Sequence, residues 1–147
     1  MNILKSVEQA EVKGKRVIVR VDWNVTLGKA LQIIDDTRIV RTLPTIRWLI
    51  EQGASQIVLM SHLGKAEEKR SVAPVVEYAE NLIGMPIKLV SQFSSFPVFQ
   101  YEKILMLENL RLWAGEEENN EEFARELANL GDIYVNEGKP VSFVQSC

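Results

Sequence analysis

The sequence predicts an α/β domain, a parallel sheet with helices on its faces, and three observations predict it. Short, β-branched apolar runs alternate with stretches of helical periodicity. Glycine and proline punctuate the joins between them. The segments between apolar runs are long enough to carry crossover helices, which parallel neighbours require.

The first run, Arg16 to Val21, is continuous and β-branched, as a strand buried on both faces would be. Asp35-Asp36-Thr37 supplies helix-start chemistry, because carboxylates accept from free backbone N–H groups and suit the positive end of the dipole. Ile39, Leu43, Ile46, Leu49 and Ile50 follow at helical spacing. Pro44 interrupts them, so a kink or a later true start is expected near it, and Gly53 is a suitable stop.

Gln56 to Ser61 reads as the second strand, followed by a polar loop from His62 to Arg70. Ser71 and Pro74 open a helix that reaches about Ile83 and closes at Gly84. Pro86 to Val90 is a short strand. Ser91 to Tyr101 is a connection with one helical turn, and Ile104 to Leu107 is another strand. Asn119 with Glu122 forms a capping box for a helix through Leu130, ended by Gly131. Asp132 to Asn136 is the last strand. The expected domain spans 1–137, and 138–147 is read as a divergent tail.

A chain of 147 residues fits one domain and buries roughly 70% of its unfolded surface. The formal charge of −3 offers no basic stripe, so neither nucleic acid nor an acidic membrane is an expected partner. An anion site must therefore be a local cluster. The single cysteine, Cys147, forms no internal disulfide, and a reducing compartment is the easier reading. No stretch approaches the ~18 apolar residues of a membrane span, and residues 1–10 lack a signal peptide's apolar run. The cytoplasm is the expected location.

In an open parallel sheet, ligands collect beyond the carboxyl ends of the strands. Asp22-Trp23-Asn24 follow the first run, and His62-Leu63-Gly64-Lys65 follow the second. Asn109 and Arg111 follow the run at Ile104, while Arg38 opens the first helix. Singly, each has a plainer role. Asp22 and Asn24 could be turn formers, His62 a satisfied loop histidine, Arg38 a solvated helix residue beside Asp35 and Asp36, Arg111 a partner of Glu108 or of the acidic run Glu116 to Glu118, and Lys65 merely exposed. Their joint placement after parallel strands argues for a cationic site. The run Glu116 to Glu118 has no metal-ligand spacing and reads as solvated surface.

At these residues the chain resembles the N-terminal domain of phosphoglycerate kinase. The resemblance rests on Val19-Arg20-Val21-Asp22-Trp23-Asn24-Val25, Asp35-Asp36-Thr37-Arg38-Ile39, Leu43-Pro44-Thr45-Ile46, Ser61-His62-Leu63-Gly64 and Leu107-Glu108-Asn109-Leu110-Arg111. Gly115-Glu116-Glu117 and Asp132 to Glu137 extend it in the same order. It implies a Rossmann-like sheet with helices on both faces. It also implies ATP-dependent phosphoryl transfer to 3-phosphoglycerate, giving 1,3-bisphosphoglycerate in glycolysis, with Mg-ATP or Mg-ADP on a separate C-terminal domain. Substrate binding would fall to Asp22, Trp23, Asn24, Arg38, His62, Leu63, Gly64, Lys65 and Arg111. Asp22 and Asn24 would orient the hydroxyacid end; His62, Arg111 and Lys65 would hold the 3-phosphate. Arg38 would be the catalytic arginine, and no metal ligand is implied among these residues.

The sequence departs from the family in places. Lys65-Ala66 stands where Arg-Pro is usual, keeping the charge but losing the bidentate fork. Trp23 replaces the commoner phenylalanine and Thr26 the commoner proline, and the loop after Lys65 is short. From Gly138 the family pattern stops, which suggests a truncated kinase holding only the acid-phosphate side and inactive alone. No Gly-x-x-x-x-Gly-Lys-Ser/Thr or Gly-x-Gly-x-x-Gly occurs, so no nucleotide loop is visible in this chain. Two other expectations stand beside it. One is a non-catalytic module that pairs with another chain, such as a complementing C-terminal domain; the other is a chain too incomplete to fold stably.

Overall fold

A computed structural model describes residues 7–92, 97–113, 121–137 and 143–146. Its strands are β1 (Arg16–Arg20), β2 (Gln56–Met60), β3 (Lys88–Val90), β4 (Ile104–Leu107), β5 (Ile133–Asn136) and β6 (Phe143–Ser146). Its helices are α1 (Thr37–Glu51), α2 (Ala73–Ile83) and α3 (Glu121–Ala128). The strands form one sheet in the order β3-β4-β2-β1-β5-β6. The first five run parallel, and β6 pairs antiparallel with β5. The expected α/β architecture is the one observed.

Strand residues sort by parity, because successive side chains leave opposite faces of a strand. Val17, Val19, Ile57, Leu59, Ile104, Met106, Ile133 and Val135 face the larger core, which is closed by Ile39, Ile46 and Leu49 of α1 and Val75, Val76 and Ala79 of α2. Ile18, Val58, Met60, Leu105 and Leu107 line the other face, where Phe123 and Leu127 of α3 pack. Helices therefore cover both faces. Each fully buried aliphatic side chain contributes about 1.5–3 kcal/mol.

The structure revises several element boundaries. Helix α1 starts at Thr37 and contains Pro44, so no later start occurs. Pro44 and Val40 are both exposed, so water can satisfy the Val40 carbonyl that a proline nitrogen cannot. Asp36 occupies the N-cap without capping through its side chain. Its carboxylate instead accepts from the Tyr78 hydroxyl at 2.7 Å, fastening α1 to α2, and this hydrogen bond raises the phenol above its ordinary value. The neighbouring Asp35 accepts from the hydroxyl and backbone N–H of Thr37, which holds its carboxyl below the usual range.

Helix α2 opens where Ser71 Oγ accepts from the Ala73 N–H at 3.1 Å. It closes on Gly84, whose φ of +79° is the left-handed conformation that favours glycine. The loop after β2 contains a single 3₁₀ turn at Ala66–Glu68. Asn119, the expected cap of α3, lies outside the described residues. The segment assigned no element in the expected tail supplies β6, in register from Asn136↔Phe143 to Ile133↔Ser146.

Candidate functional site

The chain leaves β1 toward β2, β4 and β3 on one side and returns to β5 on the other. The reversal falls between β1 and β5, and a crevice beyond the carboxyl ends is expected at such a point. Because β4, β2 and β1 are parallel neighbours, the loops that follow them emerge on the same edge.

Those loops are bound to each other through the backbone. Ser61 joins three of them: its hydroxyl accepts from the Trp23 N–H at 3.0 Å, and its carbonyl accepts from the Leu110 N–H at 3.1 Å. Asn24 Oδ1 accepts from the Gly64 N–H at 2.9 Å. Asn109 is fully buried. Its Oδ1 accepts from the N–H groups of Leu63 and Arg111, while its Nδ2 donates to the carbonyls of Leu63 and Arg70. Glu108 completes the frame by accepting from the Val72 N–H at 2.7 Å and the Ser71 hydroxyl at 2.9 Å. Asn109 is thus a structural keystone, spending its hydrogen bonds on backbone.

The charged side chains sit on this frame. Arg38, from the first turn of α1, donates through Nη1 to Asp22 Oδ1 and to the Asn24 carbonyl, both at 3.1 Å. The Asp22 and Arg38 side chains are each 49% exposed, so solvent reaches the pair. His62 is half-buried, with Nδ1 2.9 Å from Nη2 of Arg20 at the end of β1. Lys65 is exposed. Arg111 is half-buried in the short turn Leu110–Leu112, which Asn109 caps.

Two expected ligand contacts are placed otherwise. Trp23 is 1% exposed, and its indole N–H donates to Thr42 Oγ1 at 2.9 Å. Leu63 is also buried. A side chain inside the core cannot touch a ligand at the rim, so both residues can act only through packing and backbone. Gly64 has a φ of +66°, and an added Cβ would lie 2.6 Å from Glu68 Oε2. That position needs glycine for its backbone, and its N–H is already engaged by Asn24.

Arg20 is the cation that the sequence reading omitted. It ends β1, pairs across the sheet with Met60 and Asn136, and touches His62. Its position as the last strand residue before Asp22 was the available signal.

The donor set suits an anion. Guanidinium, ammonium and imidazole groups are carried by loops that leave the same edge of the sheet, and the neighbouring carboxylate, Asp22, is held by Arg38. Among the described residues there is no group of three or more His, Cys, Asp or Glu side chains that could hold a metal ion.

Residues 7–144 match the family model described as phosphoglycerate kinase. The phosphoglycerate kinase of Helicobacter pylori is 40% identical over 144 residues, covering 93% of this chain and 36% of its own length. The solved phosphoglycerate kinase of Coxiella burnetii superposes with a TM-score of 0.76 at 33% identity, covering 91% of this chain and 35% of that one. The enzyme from Pyrococcus horikoshii gives a TM-score of 0.78 at 28% identity, with 90% and 36% covered. The chain spans about a third of the length of the relatives it matches.

Proposed function

Since the chain belongs to the phosphoglycerate kinase family, we propose that its carboxyl edge binds 3-phosphoglycerate for ATP-dependent phosphoryl transfer to the carboxylate. The product would be the glycolytic 1,3-bisphosphoglycerate. The observation that supports the reading is that β4, β2 and β1 are adjacent parallel strands, so the loops bearing Asp22, Asn24, His62, Lys65 and Arg111 leave one edge of the sheet, and Arg38 reaches Asp22 from the start of α1.

Phosphoryl transfer asks little covalent work of a protein; it asks for alignment and for cations near the moving oxygens. Asp22 can accept from the substrate hydroxyl, with Asn24 fixing the loop beside it. His62, Arg111 and Lys65 hold the 3-phosphate. Arg38 is the catalytic arginine, and its guanidinium stays charged at any working pH. Trp23, Leu63 and Gly64 set the backbone that carries these groups.

We assign the nucleotide to a separate domain, as in the family, so this stretch taken by itself binds the acid without turnover. We also place it in the cytoplasm, supported by the single cysteine; no helix among the described residues is long and apolar enough to cross a membrane.

Calorimetric titration with 3-phosphoglycerate tests the site. Wild type binds, Arg111→Ala weakens binding more than Arg38→Ala, and a coupled assay with ATP shows no turnover. Equal losses in the two variants, or turnover by the purified chain, would contradict the assigned roles.

A further inference from the structure

The contact between Arg20 and His62 fixes a proton. Arg20 Nη2 lies 2.9 Å from His62 Nδ1, a hydrogen-bond distance. A guanidinium carries five N–H donors and no acceptor, and it stays protonated at any pH a folded protein tolerates. In this bond Nδ1 must therefore supply the lone pair. An imidazole whose Nδ1 accepts is neutral, and its one ring proton is on Nε2.

The sheet explains why the pair exists. Arg20 lies directly across from Met60 in the parallel register of β1 and β2. Paired residues project from the same face, and His62 is two positions past Met60, on that face again. Arg20 and His62 therefore stand together beyond the row formed by Ile18 and Met60. Both are half-buried. Partial burial strengthens the bond relative to water and limits the ring's freedom to turn away.

We propose that Arg20 is a positioning residue for the acid-phosphate site, pinning His62 as the neutral tautomer that donates only through Nε2. The inference rests on the reading of this edge given above. A dianionic phosphate offers acceptors only, so a ring with the opposite tautomer would turn a lone pair toward it at Nε2. Arg20 removes that misaligned form. Arg20 thus does for this histidine what an ordering partner does for catalytic and metal-bound histidines generally.

The test uses the fact that His62 is the chain's one histidine. Nitrogen-15 NMR of the uniformly labelled protein, at about pH 8 where an ordinary histidine is neutral, gives two separate ring lines. Couplings to the carbon-bound ring protons assign the protonated nitrogen. The expected result is a protonated Nε2 and an unprotonated Nδ1 in wild type. In Arg20→Met, which offers no donor, the lines move toward each other as the tautomers mix, and the affinity for 3-phosphoglycerate falls about tenfold.

A proton on Nδ1 in wild type overturns the proposal without any variant, so a poorly folding Arg20→Met does not shield it. Unmoved ring lines in a folded Arg20→Met also overturn it. Absence of 3-phosphoglycerate binding by wild type, with the expected ring lines, would sink the functional reading while leaving the tautomer assignment intact.

Discussion

Arg38 Nη1 is 3.1 Å from Asp22 Oδ1 and equally near the Asn24 carbonyl, so one nitrogen of α1 bridges two positions of the loop after β1. With both side chains about half exposed, the ion pair adds at most ~1 kcal/mol to folding. Asp22→Asn should then shift the melting temperature by no more than roughly 2–4 °C. On the proposed role of Asp22 as acceptor of the substrate hydroxyl, it should also weaken 3-phosphoglycerate about tenfold, because a charged acceptor is lost. Differential scanning fluorimetry and calorimetry separate the two effects, and unchanged affinity would exclude Asp22 from the ligand site.

Thr42 and Trp23 form a buried pair in which the hydroxyl accepts the indole N–H. Thr42→Val should cost about 1–3 kcal/mol, since the indole donor stays buried with no acceptor. Thr42→Ser keeps the oxygen and should cost less. Urea unfolding midpoints decide it, and equal losses would mean that methyl packing matters more than the hydrogen bond.

Asn109 serves four backbone groups at once. Asn109→Ala should destabilise the chain by about 3 kcal/mol or more, as several buried backbone groups lose their partner. It should weaken ligand binding as well, through disorder in the loops carrying Leu63 and Arg111. A variant as stable as wild type would show that water replaces the amide without loss.

Arg16 lies against Asp132, and hydrogen bonds from its side chain and backbone, with its charge, hold the Asp132 carboxyl below its ordinary 3.8. A carboxyl depressed in the folded state stabilises above its unfolded value, and that contribution is lost as pH falls through the folded one. Asp132→Asn should therefore melt lower than wild type near neutral pH, by less than ~1 kcal/mol because the pair is about half exposed. The difference should close on acidification below about pH 3.8. Melting curves across that range would refute the linkage if the gap widened instead.

The sheet was legible because buried parallel strands must be continuous apolar runs, and Val17 to Val21, Ile57 to Met60 and Ile104 to Leu107 are such runs. The strand ends were legible too, which put Asp22, His62 and Arg111 on one edge. What escaped was contact. Nothing local in Trp23 or Leu63 separates a rim residue from a core residue, since burial depends on the loop's path over α1. The Arg20–His62 bond joins residues 42 positions apart and needs the β1–β2 register to be seen. β6 is short and follows Gly138 and Pro140, so loop chemistry masked the Phe143-Val144 pair that marks it.

The reversed direction of β6 has a practical side. Ser146 sits opposite Ile133, at the end of the molecule remote from the loops bearing Arg38, His62 and Arg111. A fluorophore or surface tether attached at residue 146 would emerge there, so the protein can be immobilised with the edge that carries Arg38, His62 and Arg111 turned toward the solution.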